Sequence, residues 1–139
     1  MRKTSPTLPD LPHTTRKLKC LLVDDAPENQ FLLSKILERL GFHVSIANNG
    51  AEAIAMIEAS DHDFILMDME MPVLDGFEAT RRLRLSGYGK PIIALTAHSL
   101  AEEKVKILAC GCDAHLAKPV NFPLLMETIS TYTHIPLER

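Results

Sequence analysis

The sequence predicts an open α/β domain with a parallel sheet that is covered by helices on both faces. Short apolar runs alternate five times with amphipathic stretches between about residues 18 and 134. The runs are apolar throughout, which is typical of strands buried on both faces. Strands that alternate with helices pair in parallel through right-handed crossover connections. Five such units therefore predict one doubly wound domain.

The boundaries of the elements follow from where each pattern starts and stops. The strands are expected at residues 20–23, 43–47, 64–67, 91–95 and 114–117. Apolar residues at three- and four-residue spacing predict helices between them. These helices are expected at residues 27–40, around 53–57, and at 76–85, 100–109 and 122–132. Residues 48–50 are expected to form a turn and a possible helix cap, and Asp75 with Gly76 a cap and turn with no chemistry.

Composition limits the classes of function. The 139 residues are 46% hydrophobic and 24% charged, with a formal net charge of −3, so no basic surface for nucleic acid is predicted. No apolar run approaches the ~20 residues of a membrane-spanning helix. Residues 1–17, with three prolines, are expected to be a flexible leader or linker, and residues 135–139 a short tail. Residues 18–134 then form the domain.

The chain has three cysteines, an odd number, and these are interpreted as reduced thiols in a cytoplasmic protein. Cys110 and Cys112, with His115 nearby, form a possible metal site, although their spacing matches no common zinc pattern. The alternative is that both are small core or surface thiols.

Polar residues stand at the carboxyl ends of four of the five predicted strands. They are Asp24, Asp25, Asp68, Thr96 and Lys118. Because the carboxyl ends of parallel strands share one edge of the sheet, where ligands bind, these side chains are expected to converge. Aspartates often end strands as turn formers or caps, so any one of the five alone has a structural explanation. Five compatible groups at suitable strand ends favour a functional site.

The converging groups suit phosphoryl transfer to a carboxylate. Two carboxylates ~4 Å apart repel by ~4 kcal/mol at an effective dielectric near 20, so three of them need a cation. Oxygen ligands alone favour Mg²⁺. Lys118 adds a fixed positive charge and Thr96 a hydroxyl donor. Asp68 is the best nucleophile, because the adjacent Asp24 and Asp25 are better suited to holding the metal.

These residues lie in stretches that resemble the receiver domain of two-component response regulators and hybrid sensor kinases. The stretches are residues 22–25, 66–72 with 75–76, 91–97 and 118–119, in the family's order. The resemblance implies a flavodoxin-like fold with five helices and strand order 2-1-3-4-5. Residues 71–82 look most like the receivers of hybrid kinases.

The resemblance also implies roles for individual residues. Asp68 accepts a phosphoryl group from a phosphohistidine on a sensor histidine kinase or a histidine phosphotransfer protein. Thr96 then moves toward the phosphoryl group, and Lys118 pairs with it. The Lys118–Pro119 peptide bond is expected to be cis.

The same resemblance implies the ligands of the magnesium ion. Asp25 and Asp68 bind it directly, Asp24 binds it mostly through water, and Glu70 offers its backbone carbonyl. The domain catalyses only its own phosphorylation and dephosphorylation. It is expected to act as a monomer or weak dimer and to signal through protein contacts made by its fourth helix, fifth strand and fifth helix.

Three further positions are candidates for switching or tuning. His115 stands where many members carry Tyr or Phe, so it is either a titratable switch or a partly exposed edge-strand histidine. Glu70 and His98 follow Asp68 and Thr96 by two residues. There they are expected to tune the lifetime of the acyl phosphate.

Two other functions stay open. A magnesium-dependent phosphatase of the haloacid dehalogenase type also uses a strand-end aspartate, but it wants a second aspartate where this chain has Glu70. The structural alternative for Glu70 is an exposed loop carboxylate without a chemical role. The other alternative is a receiver-like binding module that works without phosphorylation.

Overall fold

The computed structural model describes residues 18–98 and 100–134. The predicted leader and tail lie outside the described residues. The elements are β1 (Lys19–Val23), α1 (Pro27–Arg39), β2 (His43–Ala47), α2 (Gly50–Ala59), β3 (Phe64–Asp68), α3 (Gly76–Leu85), β4 (Ile92–Thr96), α4 (Ala101–Cys110), β5 (Ala114–Ala117) and α5 (Phe122–Thr133). This alternation confirms the predicted fold class, and the observed boundaries of β1, α1, β3, β4, α4 and α5 differ from the predicted ones by one residue.

The sheet has the order β2-β1-β3-β4-β5, and all its strand pairs are parallel. This confirms the expected order. The strand order reverses between β1 and β3, which lie side by side with Leu22 opposite Leu66. Ligands of open α/β sheets bind at such a reversal, outside the carboxyl ends of the strands. The fold therefore places the ends of β1 and β3 at the centre of any site.

Two apolar layers sandwich the sheet. One layer joins α1 and α5 to one face and includes Cys20 and Leu22 of β1. The other joins α2, α3 and α4 to the opposite face and includes Leu21 and Val23. Successive side chains of a strand point to opposite faces. A strand that is covered on both faces must therefore be apolar at every position, which explains the uninterrupted runs.

The edge strands differ from this description. All residues of β3 and β4 are buried, whereas His43 and Ile46 of β2 and Ala117 of β5 are exposed. The prediction that all five runs are buried on both faces is correct for β3, β4 and most of β1, but wrong for β2 and β5. The helices pack over the middle of the sheet and leave parts of its edges open to solvent.

Side-chain caps start three of the helices. Asn49 accepts a hydrogen bond from the Glu52 N–H at 2.9 Å, as expected for an N-cap of α2. Asp75 accepts one from the Glu78 N–H at 2.9 Å and confirms the predicted cap of α3. Asn121 does the same for α5. Such caps satisfy N–H groups that have no partner within the helix.

Candidate functional site

The predicted strand-end residues meet at the carboxyl edge of the sheet. Three carboxylate oxygens, one each from Asp24, Asp25 and Asp68, lie within 4.8 Å of one another. Asp24 follows β1, and Asp68 is the last residue of β3, so the parallel pairing of these two strands brings them together. Asp24 and Asp68 are buried and Asp25 is exposed. The sequence-based expectation of a carboxylate cluster is confirmed.

Lys118 is the cation of this cluster. Its Nζ lies 2.9 Å from Asp68 Oδ1 and 3.9 Å from Asp24 Oδ2. The lysine side chain is 23% exposed, whereas the two carboxylates are 0% and 1% exposed. One ammonium group therefore faces two buried carboxylates, and Asp25 adds a third negative charge at the rim. The described part of the site keeps an excess of negative charge.

The two oxygens of Asp68 have different surroundings. Oδ1 accepts hydrogen bonds from Lys118 and from the Glu70 N–H at 3.0 Å. Oδ2 is buried and has no hydrogen-bond partner in the described structure. Burial raises the pKa of Asp68, and the hydrogen bonds from Lys118 and Glu70 oppose this rise only in part. A buried polar atom without a partner costs about 1–3 kcal/mol. We therefore expect Oδ2 to gain a partner from a bound group.

The donor set fits a magnesium ion. Asp24, Asp25 and Asp68 together offer a set of carboxylate oxygens, one from each residue. Mg²⁺ prefers oxygen ligands and is usually held by one or two carboxylates together with water and phosphate oxygens. The exposed Asp25 keeps one side of the cluster open to such additional ligands.

Asp24 is held in place by the start of α1. Its Oδ1 accepts a hydrogen bond from the Ala26 N–H at 2.9 Å, and its Oδ2 accepts one from Asn29 at 3.4 Å. The Gln30 side chain donates to the Asp24 backbone carbonyl at 2.6 Å and to Asn48 at 2.8 Å. Sequence reasoning missed Asn29 and Gln30, although two adjacent amides in the first turn of a helix beside a predicted site were a usable signal.

Glu70 and Thr96 form a second pair beside the carboxylate cluster. The Thr96 hydroxyl donates to Glu70 Oε2 at 2.9 Å, and the Ala97 N–H donates to Glu70 Oε1 at 3.1 Å. The interpretation of Glu70 as a simple exposed loop carboxylate is therefore wrong. The His98 N–H donates to Thr96 Oγ1 at 3.0 Å, so His98 contacts the pair through its backbone while its side chain is exposed.

Other predicted positions have varied outcomes. The Lys118–Pro119 peptide bond is cis, as expected. His115 lies on β5 beside Ala94 and is partly buried, and its role as a switch stays a prediction.

Within residues 18–98 and 100–134, the three aspartates are the only group of three or more side chains gathered for a metal. The structure does not gather Cys110, Cys112 and His115 into such a group.

Gly76 lets α3 begin directly against the end of β3. A Cβ at this position would lie 2.8 Å from Met69 Cα and would also meet the Asp68 carbonyl. Such contacts are far shorter than van der Waals distance. Any larger residue would push the start of α3 away from Asp68, so the glycine fixes the loop that carries Glu70.

No helix among the described residues has both the length and the apolar character needed to cross a membrane.

The comparisons with known proteins agree with this geometry. Residues 20–130 match the family model of the response regulator receiver domain. The chain is 36% identical over 127 residues to the sensor histidine kinase RcsC of Salmonella typhimurium, and the match covers 91% of the chain and 13% of that kinase. The chain thus spans a small part of the length of this relative.

Two solved structures are similar over most of their own length. The receiver domain of the sensor histidine kinase PA1611 from Pseudomonas aeruginosa, with magnesium in its active-site cleft, matches with a TM-score of 0.79 and 36% identity, covering 86% of this chain and 99% of that chain. The co-crystal structure of the Saccharomyces cerevisiae phosphotransfer protein Ypd1 with the Ssk1 receiver domain matches with a TM-score of 0.78 and 32% identity, covering 85% and 90%. This chain belongs to the response regulator receiver domain family and is a receiver domain of phosphorelay signalling.

Proposed function

We propose that Asp68 accepts a phosphoryl group from a phosphohistidine and holds it as an acyl phosphate. The observation that carries this proposal is the contrast between the two Asp68 oxygens. Oδ1 is bound by Lys118 and the Glu70 N–H, while Oδ2 is buried without a partner. A carboxylate held by one oxygen presents the other as a nucleophile of fixed direction.

The chemistry requires no other nucleophile. Oδ2 of Asp68 attacks the phosphorus atom, a P–O bond forms, and the P–N bond to the donor imidazole breaks. Lys118 stays close enough to pair with the phosphoryl oxygens as their charge develops, because its Nζ already lies 2.9 Å from Oδ1. When bound by Asp24, Asp25, Asp68 and the Glu70 carbonyl, Mg²⁺ would neutralise further negative charge there.

Thr96 supplies the switch in this proposal. Its hydroxyl is bonded to Glu70 at 2.9 Å, so donation to a phosphoryl oxygen requires that this bond break. Release of Thr96 also weakens the hold of Glu70 on the Ala97 N–H. The loop from β4 to α4 then rearranges. α4 and its N-cap expose Leu100, Val105 and Leu108, which are apolar side chains suited to a protein contact.

The proposed donors are a sensor histidine kinase or a histidine phosphotransfer protein, and the Ypd1–Ssk1 co-crystal structure supports the second class. α1 exposes Phe31 and Leu32 at 67% and 58%. Leu32 also lines a mainly apolar groove that reaches Asp24 and Lys118. A donor bound over this groove would reach the acceptor oxygen. The three free thiols favour a reducing, cytoplasmic setting, and we expect a monomer or weak dimer that binds no nucleic acid.

Acetyl phosphate with Mg²⁺ tests the proposal on the full chain. We expect a labile phosphoryl adduct in the wild type, no adduct in Asp68→Asn, and a normal adduct in Asp61→Asn, because Asp61 is an exposed aspartate that precedes the start of β3, whereas Asp68 ends that strand. Repeated turnover of external phosphate esters would instead indicate the phosphatase. No adduct from acetyl phosphate or from a phosphohistidine donor would indicate the phosphorylation-independent module.

A further inference from the structure

Cys110 and Cys112 form a pair of thiols outside the acceptor site. Their Sγ atoms lie 3.9 Å apart, and both cysteines are free. Cys110 is the last residue of α4, and Cys112 precedes β5, with Gly111 between them. The phosphoryl transfer described above does not involve either thiol.

The two thiols differ in access. Cys110 is partly buried and meets solvent at the end of α4. Cys112 is 5% exposed, and its Sγ lies 3.7 Å from the Thr80 hydroxyl. An oxidant from solvent therefore reaches Cys110 first, while Cys112 is positioned behind it to react with the product.

The electrostatic setting makes Cys110 the more reactive thiol. The hydrogen bond from Cys112, together with backbone N–H groups, lowers the pKa of Cys110 to about 7. The same hydrogen bond and burial raise the pKa of Cys112. Since the thiolate is the reactive form, Cys110 is the nucleophile near neutral pH and Cys112 the resolving thiol.

We propose that Cys110 and Cys112 form a redox-active dithiol that a hydroperoxide closes to an intramolecular disulfide. The Cys110 thiolate attacks the O–O bond, takes one oxygen as a sulfenic acid and releases the alcohol or water of the peroxide. The Cys112 sulfur then attacks the Cys110 sulfur, the S–S bond forms, and hydroxide leaves with the Cys112 proton as water. Two thiols are oxidised by two electrons, and one hydroperoxide is reduced.

The backbone between the thiols allows this closure. An S–S bond is about 2.05 Å long, so the sulfurs must approach by about 1.9 Å. Gly111 has a φ of 118°, a conformation that glycine adopts without steric cost, and its missing Cβ leaves this segment freer to adjust than any other residue would.

Formation of the disulfide would change the hydrogen bonds at the end of α4. The N–H groups of Gly111 and Cys112 donate to the carbonyls of Leu108 and Ile107 at 3.1 and 3.2 Å, and the Gly111 carbonyl accepts a hydrogen bond from Arg84 at 2.9 Å. A movement of residues 110–112 loosens these bonds. Because α4 is part of the proposed signalling surface, oxidation would alter that surface without altering Asp68.

Peptide mass analysis after peroxide treatment tests the disulfide directly. Trypsin does not cleave before Pro119, so residues 107–139 form one peptide with both thiols. We expect this peptide to lose two hydrogen atoms and to resist alkylation, with the loss reversed by dithiothreitol. Cys20, fully buried with a pKa raised by burial, is the internal control and should stay alkylatable after unfolding. Added oxygen on Cys110 beside an alkylatable Cys112, or disulfide-linked dimers, would overturn the proposal.

Two single variants separate the roles of the thiols. Cys112→Ser should stop at a sulfenic acid on Cys110 that dimedone traps. Cys110→Ser should react at least tenfold more slowly, and the wild-type rate should rise with pH through a midpoint near 7. Equal rates in the two variants would contradict the assignment. The wild-type peptide result decides the proposal even if a variant does not fold.

Discussion

Two polar clusters at opposite ends of the strands differ in how completely their hydrogen bonds are satisfied. At the end where β4 and β5 begin, Arg84 donates to the carbonyls of Gly111, Tyr88 and Lys90 at 2.7–2.9 Å and to Asp113 at 2.9 Å. At the carboxyl end of β3, Asp68 Oδ2 is buried without a partner in the described structure. We call the first group of residues the Arg84 cluster.

The difference separates a structural cluster from a reactive one. The guanidinium group of Arg84 has partners at all three nitrogens, and four of its five N–H groups donate hydrogen bonds. The cluster therefore holds α3, β4 and β5 together. The acceptor site has one ammonium group for two buried carboxylates and an unpartnered oxygen. Unsatisfied groups of this kind persist where a ligand or a reaction completes them.

The largest stability effect is expected in the Arg84 cluster. Arg84→Ala removes four hydrogen bonds and should lower the free energy of unfolding by about 3 kcal/mol, at roughly 0.5–1.5 kcal/mol for each bond. Phosphoryl incorporation at Asp68 should stay at the wild-type level in the folded fraction. Urea unfolding measures the loss, and Arg84→Lys is the matched control that keeps the charge. Unchanged stability in Arg84→Ala would contradict the structural role.

Magnesium should stabilise the acceptor site by a smaller amount. At a magnesium concentration ten times the dissociation constant, mass action adds about 1.4 kcal/mol to the free energy of unfolding. Asp25→Asn should gain much less, because it removes one of three gathered carboxylates, whereas Arg84→Ala should gain as much as the wild type. Thermal melts with and without Mg²⁺ measure the difference. Equal gains in the wild type and in Asp25→Asn would argue against a metal at this cluster.

The cap of α3 should have a still smaller effect. Asp75→Ala removes the hydrogen bond to the Glu78 N–H and should cost about 1 kcal/mol of stability. The yield of phosphorylated protein should not change, since Asp75 is a cap and not a ligand. Asp75→Asn keeps an accepting oxygen and should restore most of the stability. A loss of phosphorylation in Asp75→Asn would give this residue a role in chemistry.

The smallest expected effect is a difference in pH dependence between the wild type and Asp68→Asn. Burial raises the folded-state pKa of Asp68 above its unfolded value. The folded protein then binds the proton more tightly, so the contribution of Asp68 to stability is greatest below the unfolded pKa and is lost as the pH rises through the folded pKa. Asparagine lacks this titration.

The measurement is urea unfolding of both proteins in a metal chelator from about pH 4 to about pH 7. The wild type should lose stability relative to Asp68→Asn as the pH rises through this window. A relative gain by the wild type would contradict the predicted direction of the pKa shift.

The sequence predicted the groups that strand ends bring together. Asp24 and Asp68 meet because the carboxyl ends of parallel strands lie together, and Lys118 joins them for the same reason. Their positions at the ends of the strands were therefore enough to predict that they converge. The family resemblance supplied the strand order and the cis bond before Pro119.

Contacts between loops were not predicted. The bonds from Thr96 and Ala97 to Glu70 join the loops after β4 and β3, and their geometry depends on how both loops fold over the sheet. The approach of the Cys110 and Cys112 thiols likewise depends on the left-handed conformation of Gly111. Neither feature has a periodic pattern in the sequence, because the Glu70 contacts arise from tertiary packing and the thiol contact from the local backbone conformation.

The role of Asp68 as phosphoryl acceptor is tested most directly by locating the phosphoryl group chemically. Borohydride reduces an acyl phosphate on an aspartate to homoserine, which peptide sequencing by mass spectrometry identifies. After incubation with Mg²⁺ and a phosphohistidine donor, we expect homoserine at position 68 and aspartate at positions 24 and 25. Homoserine at either of those two positions, or an acid-stable phosphate on a hydroxyl residue, would contradict it.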